Sequence, residues 1–337
     1  MSESPNQIRT EPRPDCFLCG IAGKPLYAGL PSALFETAGK WSFSQCSRPE
    51  CGLIWINPRP IESDLHIAYE TYFTHAEPGE NSSSTLRDTL YAAYRAANYP
   101  LWALSGIAKE KVRRSEMFLN DTTPGKLLDV GCGDGTFLNL MRGKGWQVDG
   151  IDFDPKAIQT AKQKYDLSLR HGDLIAAKLP AESFDAVTMS HVVEHLTNPV
   201  ELLSEIRRLL KVGGQLVMTT PNTASIGHQK FGPSWFGIDP PRHLHLFNKA
   251  SLSEVSRRAG FQVAWAGSTT ANTDVFIGAS YTLRENNQHR MGHQPTPSVL
   301  RTLKAAYWHH RAQRQLSSQP DCGDELVLIC KKSNSPS

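Results

Sequence analysis

The sequence predicts an α/β protein with a doubly wound, mostly parallel sheet behind a small cysteine-rich N-terminal unit. The stretch 126–141 shows the repeating unit of such a sheet: a short apolar run, a glycine turn, and apolar residues at helical spacing. Further short apolar runs, each separated from the next by a helical pattern, follow as far as residue 265. Two cysteine pairs within the first 51 residues mark the smaller unit.

The glycine turn carries three glycines at alternate positions, Gly131, Gly133 and Gly135. A dinucleotide-binding turn would have its third glycine at the position of Thr136. Asp134 places a carboxylate where a pyrophosphate would lie, and Asp129 ends the strand just ahead of the turn, so the site suits a cationic or zwitterionic ligand. A glycine-rich turn that holds no ligand is the alternative.

Read from Asp129, the turn closely resembles motif I, D-x-G-x-G-x-G, of class I S-adenosylmethionine-dependent methyltransferases. The resemblance implies a Rossmann-like sheet of seven strands in the order 3-2-1-4-5-7-6. It also implies S-adenosylmethionine as the cofactor, with its amino acid part held by the glycine turn.

The ends of the next strands supply the remaining candidates for cofactor binding. The second strand ends at Asp152, where a carboxylate can accept hydrogen bonds from both ribose hydroxyls, and Phe153 beside it is placed to pack on adenine. Asp173 and Leu174, after the third strand, match the family positions that contact the adenine amino group and ring nitrogen. With Ser190 at the end of the fourth strand, the predicted cofactor-binding residues are Asp129, Gly131, Gly133, Gly135, Asp152, Phe153, Asp173, Leu174 and Ser190.

The segment His191-Val-Val-Glu194-His195 matches H-x-x-E-H, the zinc signature of inverted metalloproteases. That signature requires a helix, and here a buried strand precedes it and Asn198-Pro199 begins a new helix, so no metal site is predicted. Methyltransferases of this class commonly carry Glu-His-Leu at this point, on the floor of the pocket. We therefore expect His191 and Glu194 to contact cofactor or acceptor, and His195 to be structural.

The stretch 231–247 follows the fifth strand and contains His243 and His245. A histidine titrating near neutral pH suits a general base that removes the proton of an attacking hydroxyl. The two alternate, so in extended chain they face opposite ways. A structural lid is the alternative. The catalytic candidates are His243, His245, Glu194 and His191.

The N-terminal cysteines Cys16, Cys19, Cys46 and Cys51 have the spacing C-x2-C-x26-C-x4-C. Four thiolates suit a structural zinc ion, since they leave no coordination position open for catalysis. Free thiols are the alternative. This region, with the segment 51–60, resembles the zinc-knuckle region of bacterial methyltransferases that modify sugars in polysaccharide biosynthesis, in which Pro-x-His segments like 241–243 also occur.

The sequence divides into a disordered tail, a zinc-ribbon-like domain, a helical linker or lid and a methyltransferase domain. The boundaries are 1–15, 16–60, 61–117 and 118–332, with a tail at 333–337 and an insertion at about 268–323. The family joins its last two strands by a short turn, so this insertion is unusual. A solvated helix is the preferred interpretation, with closure over the substrate, subunit pairing and membrane contact as alternatives.

The composition points to no strongly charged partner. The chain has 36 Lys and Arg residues and 33 Asp and Glu residues, which gives a formal net charge of +3. No nucleic acid is therefore expected, and no apolar run is long enough to span a membrane. The N-terminus does not have the pattern of a signal peptide, so a cytoplasmic location is the default, and a homo-oligomer is compatible with the sequence.

The expected activity is S-adenosylmethionine-dependent methylation of a small-molecule acceptor, a sugar or a nucleotide-sugar or glycan precursor. One alternative acceptor is a quinone-like or other small aromatic compound. A further alternative is an RNA methyltransferase or nucleic-acid-binding protein that uses the zinc ribbon.

Overall fold

A computed structural model describes residues 8–32, 39–69, 98–286 and 298–333. Residues 70–97 of the helical linker or lid expected at 61–117 lie outside these residues. Within the described part, residues 98–105 are helical and are followed by a helix at Ile107–Ser115.

Seven strands form the main sheet. Five strands lie in the N-terminal part of the chain: β1 (Thr10–Glu11), β2 (Gly23–Pro31), β3 (Lys40–Cys46), β4 (Ile54–Ile56) and β5 (Arg59–Pro60). The strands of the main sheet are β6 (Lys126–Val130), β7 (Gln147–Asp152), β8 (Arg170–His171), β9 (Phe184–Ser190), β10 (Leu210–Pro221), β12 (Gln262–Thr269) and β13 (Glu325–Lys331). Between β10 and β12 lies the short strand β11 (His245–Leu246), which belongs to another sheet. The main sheet has the order β12-β13-β10-β9-β6-β7-β8, in which β13 runs antiparallel to both its neighbours. Counted along the chain, this order is 6-7-5-4-1-2-3, so the predicted topology is confirmed.

Eight helices with residue bounds accompany the strands in the described residues: α1 (Ile107–Ser115), α2 (Thr136–Gly143), α3 (Pro155–Tyr165), α4 (Pro199–Leu209), α5 (Ile226–Phe231), α6 (Lys249–Arg258), α7 (Thr273–Asn286) and α8 (Val299–Gln315). Short 3-10 helices occur at Glu62–Tyr69, Val193–His195 and Gly232–Ser234. Local sequence explains where α3 and α4 begin. Asp154 and Asn198 each accept a hydrogen bond from a first-turn amide, and a proline follows each at the first helical position.

The N-terminal strands do not form a separate hydrophobic core. β11 pairs antiparallel with β4 and completes a four-stranded sheet, β11-β4-β3-β2. Leu18, Leu53 and Trp55 belong to the same buried cluster as Leu128 of the main sheet. A unit of about 45 residues buries too little surface to be stable by itself, which explains why it packs onto the larger domain.

Residues 8–15 differ from the disordered tail expected there, because β1 pairs with β5. Arg9 reinforces this pairing through its guanidinium, which donates to both carboxylate oxygens of Asp64 at 2.8 and 2.9 Å.

The insertion before β13 differs from the solvated helix that we expected. α7 and α8 pack against each other, and Phe276, Tyr281 and Ala305 join a buried cluster with Trp41 and Trp235. One face of α8 is therefore buried, while Leu300, Leu303 and Tyr307 remain exposed. Among the described helices, none has the length and apolar character needed to cross a bilayer.

Candidate active site

The glycine turn and the adjacent strand ends line a cavity of about 630 Å³. Asp129, Gly131, Gly133 and Ser190 are among its lining residues. Gly131 has a positive φ of 75°, and a Cβ at this position would lie 2.4 Å from a methyl group of Val192. Glycine is therefore required both for the backbone conformation and for the space.

Two buried carboxylates, Asp129 and Asp152, lie near the ends of β6 and β7, and Asp129 lines the cavity whereas Asp152 does not. Asp129 accepts a hydrogen bond of 2.7 Å from the hydroxyl of Thr188, and burial raises its pKa to about 7. Asp152 accepts the amides of Gly133 at 2.8 Å and Asp154 at 2.9 Å, and burial raises its pKa as well. Asp152 thus ties the glycine turn to the end of β7.

The residues predicted around adenine lie at the neighbouring strand ends. Phe153 is 58% exposed, and its ring centroid lies 5.3 Å from that of Tyr69 in an edge-on arrangement. Asp173 is exposed and accepts the amide of Ala176 at 2.8 Å, whereas the Leu174 side chain is buried in the core. The approach of Tyr69 to Phe153 was not predicted, because Tyr69 comes from the 3-10 helix 62–69, far away in sequence.

His191 lies between two buried carboxylates. Its Nδ1 is 3.1 Å from Glu194 and its Nε2 is 2.8 Å from Glu325, which also accepts from Arg114 and Asn272. Burial favours the neutral ring, but the hydrogen bonds to Glu194 and Glu325 outweigh it and raise the pKa of His191 to about 9. Because both ring nitrogens donate to carboxylates, His191 has no lone pair with which to act as a base in this arrangement.

His195 and His243 lie together, and backbone carbonyls orient both rings. Nδ1 of His195 is 3.0 Å from the carbonyl oxygen of Arg242, and Nδ1 of His243 is 2.9 Å from that of Gly237. A carbonyl oxygen can only accept, so Nδ1 carries a hydrogen in both rings and Nε2 is left for another partner. The Tyr69 hydroxyl lies 3.1 Å from the same Nδ1 of His195.

Glu194 completes a cluster with these two rings. The two imidazole rings are 4.7 Å apart between centroids, and one ligand atom from each of the three residues lies within 4.8 Å of the others. Glu194 is fully buried and also accepts the hydroxyl of Thr220 at 2.9 Å. Burial alone would raise the pKa of Glu194, but the hydrogen bond with His191 lowers it to about 2.

The stretch 231–247 is buried rather than open. Trp235 is completely buried and donates its Nε1 hydrogen to Asp324 at 3.2 Å, while the buried guanidinium of Arg242 donates to Asp239. His245 belongs to β11, and its ring lies 4.7 Å from Phe17 on the N-terminal side. His243 and His245 therefore contact different parts of the molecule.

The four N-terminal cysteines converge. Sγ of Cys16 lies 3.7 Å from that of Cys51, Sγ of Cys19 lies 3.3 Å from that of Cys46, and all four sulfurs are within 4.8 Å of one another. Zn–S bonds of about 2.3 Å in a tetrahedron place the sulfurs about 3.8 Å apart. The four thiols therefore fit a zinc ion with little movement.

A family model described as "Methyltransferase domain" matches residues 106–264. A probable S-adenosylmethionine-dependent methyltransferase of Mycolicibacterium smegmatis is 32% identical over 209 residues, covering 60% of this chain and 79% of that protein. The chain belongs to the S-adenosylmethionine-dependent methyltransferases. The predicted enzyme class and cofactor are thus confirmed.

Two other relatives are named for different acceptors. A ubiquinone biosynthesis O-methyltransferase of Dechloromonas aromatica is 38% identical over 166 residues, covering 46% of this chain and 68% of that protein. A malonyl-[acyl-carrier protein] O-methyltransferase of a Paenibacillus species is 29% identical over 180 residues, covering 49% of this chain and 64% of that protein. The relatives thus agree on methyl transfer and differ in acceptor.

Proposed function

We propose that this methyltransferase acts on a hydroxyl oxygen of a small sugar-like molecule: a sugar, a nucleotide sugar or a glycan precursor. The observation that carries this proposal is the cluster of Glu194, His195 and His243. It brings together a carboxylate and two imidazole rings, which favour a substrate group that carries a proton.

In this proposal the cavity beside the glycine turn holds the amino acid part of the cofactor, and the residues at the ends of β7 and β8, which do not line that cavity, hold the rest. Asp129 and the turn take the amino acid part, because a buried carboxylate favours the ammonium and sulfonium charges. Asp152 binds the ribose hydroxyls. Phe153, Asp173 and the backbone amide of Leu174 bind adenine. The cavity volume of about 630 Å³ lies within the range of small-molecule sites.

The catalytic candidates have different roles in this proposal. Glu194 and His243, joined by His195, act at the acceptor oxygen. His191 positions Glu194 through their hydrogen bond of 3.1 Å, and His245 packs between the N-terminal unit and the core. In the reaction the hydroxyl loses its proton, its oxygen bonds the methyl carbon, and the carbon–sulfur bond breaks to release S-adenosylhomocysteine.

A quinone-like or phenolic acceptor is the second candidate. The relative from Dechloromonas aromatica, named for ubiquinone biosynthesis, favours it. The exposed ring of Phe153 beside Tyr69 offers an aromatic surface at the site.

We also propose that the four cysteines hold a structural zinc ion, and that the chain divides at about residues 60 and 117 as the sequence suggests. The sulfur separations support the zinc ion. Because β11 pairs with β4, the N-terminal unit shares a sheet with the stretch that carries the proposed acceptor residue His243.

The experiment has two stages. Calorimetric titration of S-adenosylmethionine should give micromolar binding that is lost in Asp152→Ala, and no binding by the native chain would contradict the cofactor assignment. Release of S-adenosylhomocysteine is then measured with a panel of nucleotide sugars, free sugars and dihydroxyphenols. Turnover with sugars supports the first candidate, and turnover restricted to phenols supports the second.

A further inference from the structure

We infer that Glu194, His195 and His243 bind one divalent metal ion, separate from the cysteine site. Two imidazole nitrogens and one carboxylate form a donor set suited to first-row ions such as Mn²⁺, Co²⁺ and Zn²⁺. The sequence predicts no metal site at the H-x-x-E-H segment, because that signature requires both histidines on one helix. In the structure, the second histidine of the cluster is not His191 but His243, from the distant stretch 231–247.

A carboxylate and two imidazoles converge in this cluster, because one ligand atom from each of Glu194, His195 and His243 lies within 4.8 Å of the others. In each ring Nδ1 holds a hydrogen that a backbone carbonyl accepts, which leaves Nε2 to bind a metal ion; Nε2 of His243 also lies 4.0 Å from Asp239. Glu194 supplies a buried carboxylate to the same place. Two imidazole nitrogens and a carboxylate at these distances offer three ligands to one cation.

Each candidate ligand is also oriented by a hydrogen bond to a further group. Both histidines donate Nδ1–H to backbone carbonyls of one short segment, at Gly237 and Arg242. The carboxylate of Glu194 accepts the hydroxyl of Thr220 at 2.9 Å and lies 3.1 Å from His191. Metal-binding histidines and carboxylates characteristically have such partners, which fix the ring orientation and leave the second nitrogen for the metal.

The separations indicate what must move when the ion binds. The ligand atoms lie within 4.8 Å of one another, whereas two atoms bonded at about 2.1 Å to one tetrahedral ion are about 3.4 Å apart. Binding therefore draws the most widely separated atoms together by up to about 1.4 Å. His195 can supply this movement, because it is half-buried and ends a 3-10 helix of three residues.

Three protein ligands leave at least one position for an oxygen ligand. This step rests on the proposed function: an acceptor hydroxyl in that position would have its pKa lowered by the ion, and its proton would pass to solvent water. The resulting oxygen would attack the methyl carbon while the carbon–sulfur bond breaks.

The test counts metal ions on the purified full-length chain. The native protein, His195→Gln, His243→Gln and His245→Gln are each dialysed against Mn²⁺, Co²⁺ or Zn²⁺, and bound metal is measured by inductively coupled plasma mass spectrometry. The native chain and His245→Gln should bind one ion more than the other two variants. His245 is the matched control, because it is a buried histidine of the same segment that lies outside the cluster.

Equal metal content in all four proteins would overturn the inference, and so would loss of an ion in His245→Gln. Circular dichroism establishes that each variant is folded, and the half-buried His195 supplies a second test if His243→Gln does not fold. Because the measurement is a difference in metal content, it does not depend on the acceptor or on the cysteine site. A chain that binds the ion but methylates no sugar would contradict the proposed acceptor alone.

Discussion

At the scale of residues, the buried carboxylates Asp129 and Asp152 differ in their hydrogen-bond partners. Asp129 accepts one side-chain hydrogen bond, from Thr188, and is otherwise desolvated, so its pKa rises to about 7. Asp152 accepts two backbone amides, which offset part of the cost of its burial. In the proposed cofactor site we therefore expect the charge of Asp129 to depend on the ligand, whereas Asp152 holds the glycine turn in place.

Cofactor affinity should depend on pH through Asp129. Below pH 7 the free protein holds Asp129 mainly protonated, and a cationic ligand prefers the ionised form. Binding of S-adenosylmethionine should therefore release a proton at pH 6 and tighten as the pH rises to about 7, reaching a plateau above it. Calorimetry in buffers of different ionisation enthalpy measures both effects.

In Asp129→Asn the affinity should be lower and independent of pH in this range. A native chain whose affinity stays constant between pH 6 and pH 8 would show that Asp129 is remote from the charge of the cofactor.

Replacing Asp152 should weaken cofactor binding by disturbing both the ribose contact and the glycine turn. Hydrogen bonds to a charged group contribute about 1.5–3 kcal/mol, so Asp152→Asn should reduce affinity by roughly 10- to 100-fold. Asp166→Asn is a suitable control, because that carboxylate is exposed and paired with Lys162 on the surface. Equal affinities of the two variants in calorimetry would contradict the role of Asp152.

At the scale of elements, the two-residue strand β11 connects the stretch 231–247 to the cysteine unit. It pairs with β4, which itself has three residues, and Asn248 after it donates to the carbonyl oxygen of Cys51 at 3.1 Å. Strands this short are not stable alone. A metal ion on the cysteines would therefore stabilise the stretch 231–247 as well.

Removing zinc from the cysteine site should lower both stability and activity. Cys46→Ser, or treatment with a strong chelator, should reduce the melting temperature by several degrees, because metal binding at such a site contributes directly to folding. Methyl transfer should fall in parallel, since β11 continues the segment that carries His243.

Cys322→Ala is the control for this change, because Cys322 is buried, is not part of the cluster and is far in sequence from Cys16, Cys19, Cys46 and Cys51. A chelated protein with unchanged melting temperature and activity would refute the structural role of the ion.

The elements that sequence could predict are those encoded locally. The strand, glycine turn and helix at 126–143 lie within one short stretch, and the order of strands follows from its resemblance to motif I. The cluster of Glu194, His195 and His243 could not be predicted in this way, because 48 residues separate its two histidines. Its geometry depends on how the stretch 231–247 packs against the 3-10 helix Val193–His195, and no local sequence pattern indicates that packing.

At the scale of the whole molecule, the two sheets share their hydrophobic cores. Trp55 is 4% exposed, belongs to the cluster that includes Leu128, and donates its Nε1 hydrogen to the carbonyl oxygen of Arg13 at 2.8 Å. Trp41 of β3 lies in a second cluster with Trp235 and Phe276. Apolar burial thus joins the N-terminal unit to the methyltransferase core at two places.

Because of these shared cores, the described parts of the chain should unfold in one transition. Trp55→Ala should destabilise the protein by about 3–5 kcal/mol, as expected for removal of a buried tryptophan, and should lower the temperature at which cofactor binding is lost. Trp265→Ala is the matched control, since that side chain is 43% exposed and should change stability little. Scanning calorimetry of each variant with and without S-adenosylmethionine measures both effects. If Trp55→Ala melted in two steps, with the later, cofactor-stabilised step unchanged, the N-terminal unit would be an independent domain and the shared core would not govern folding.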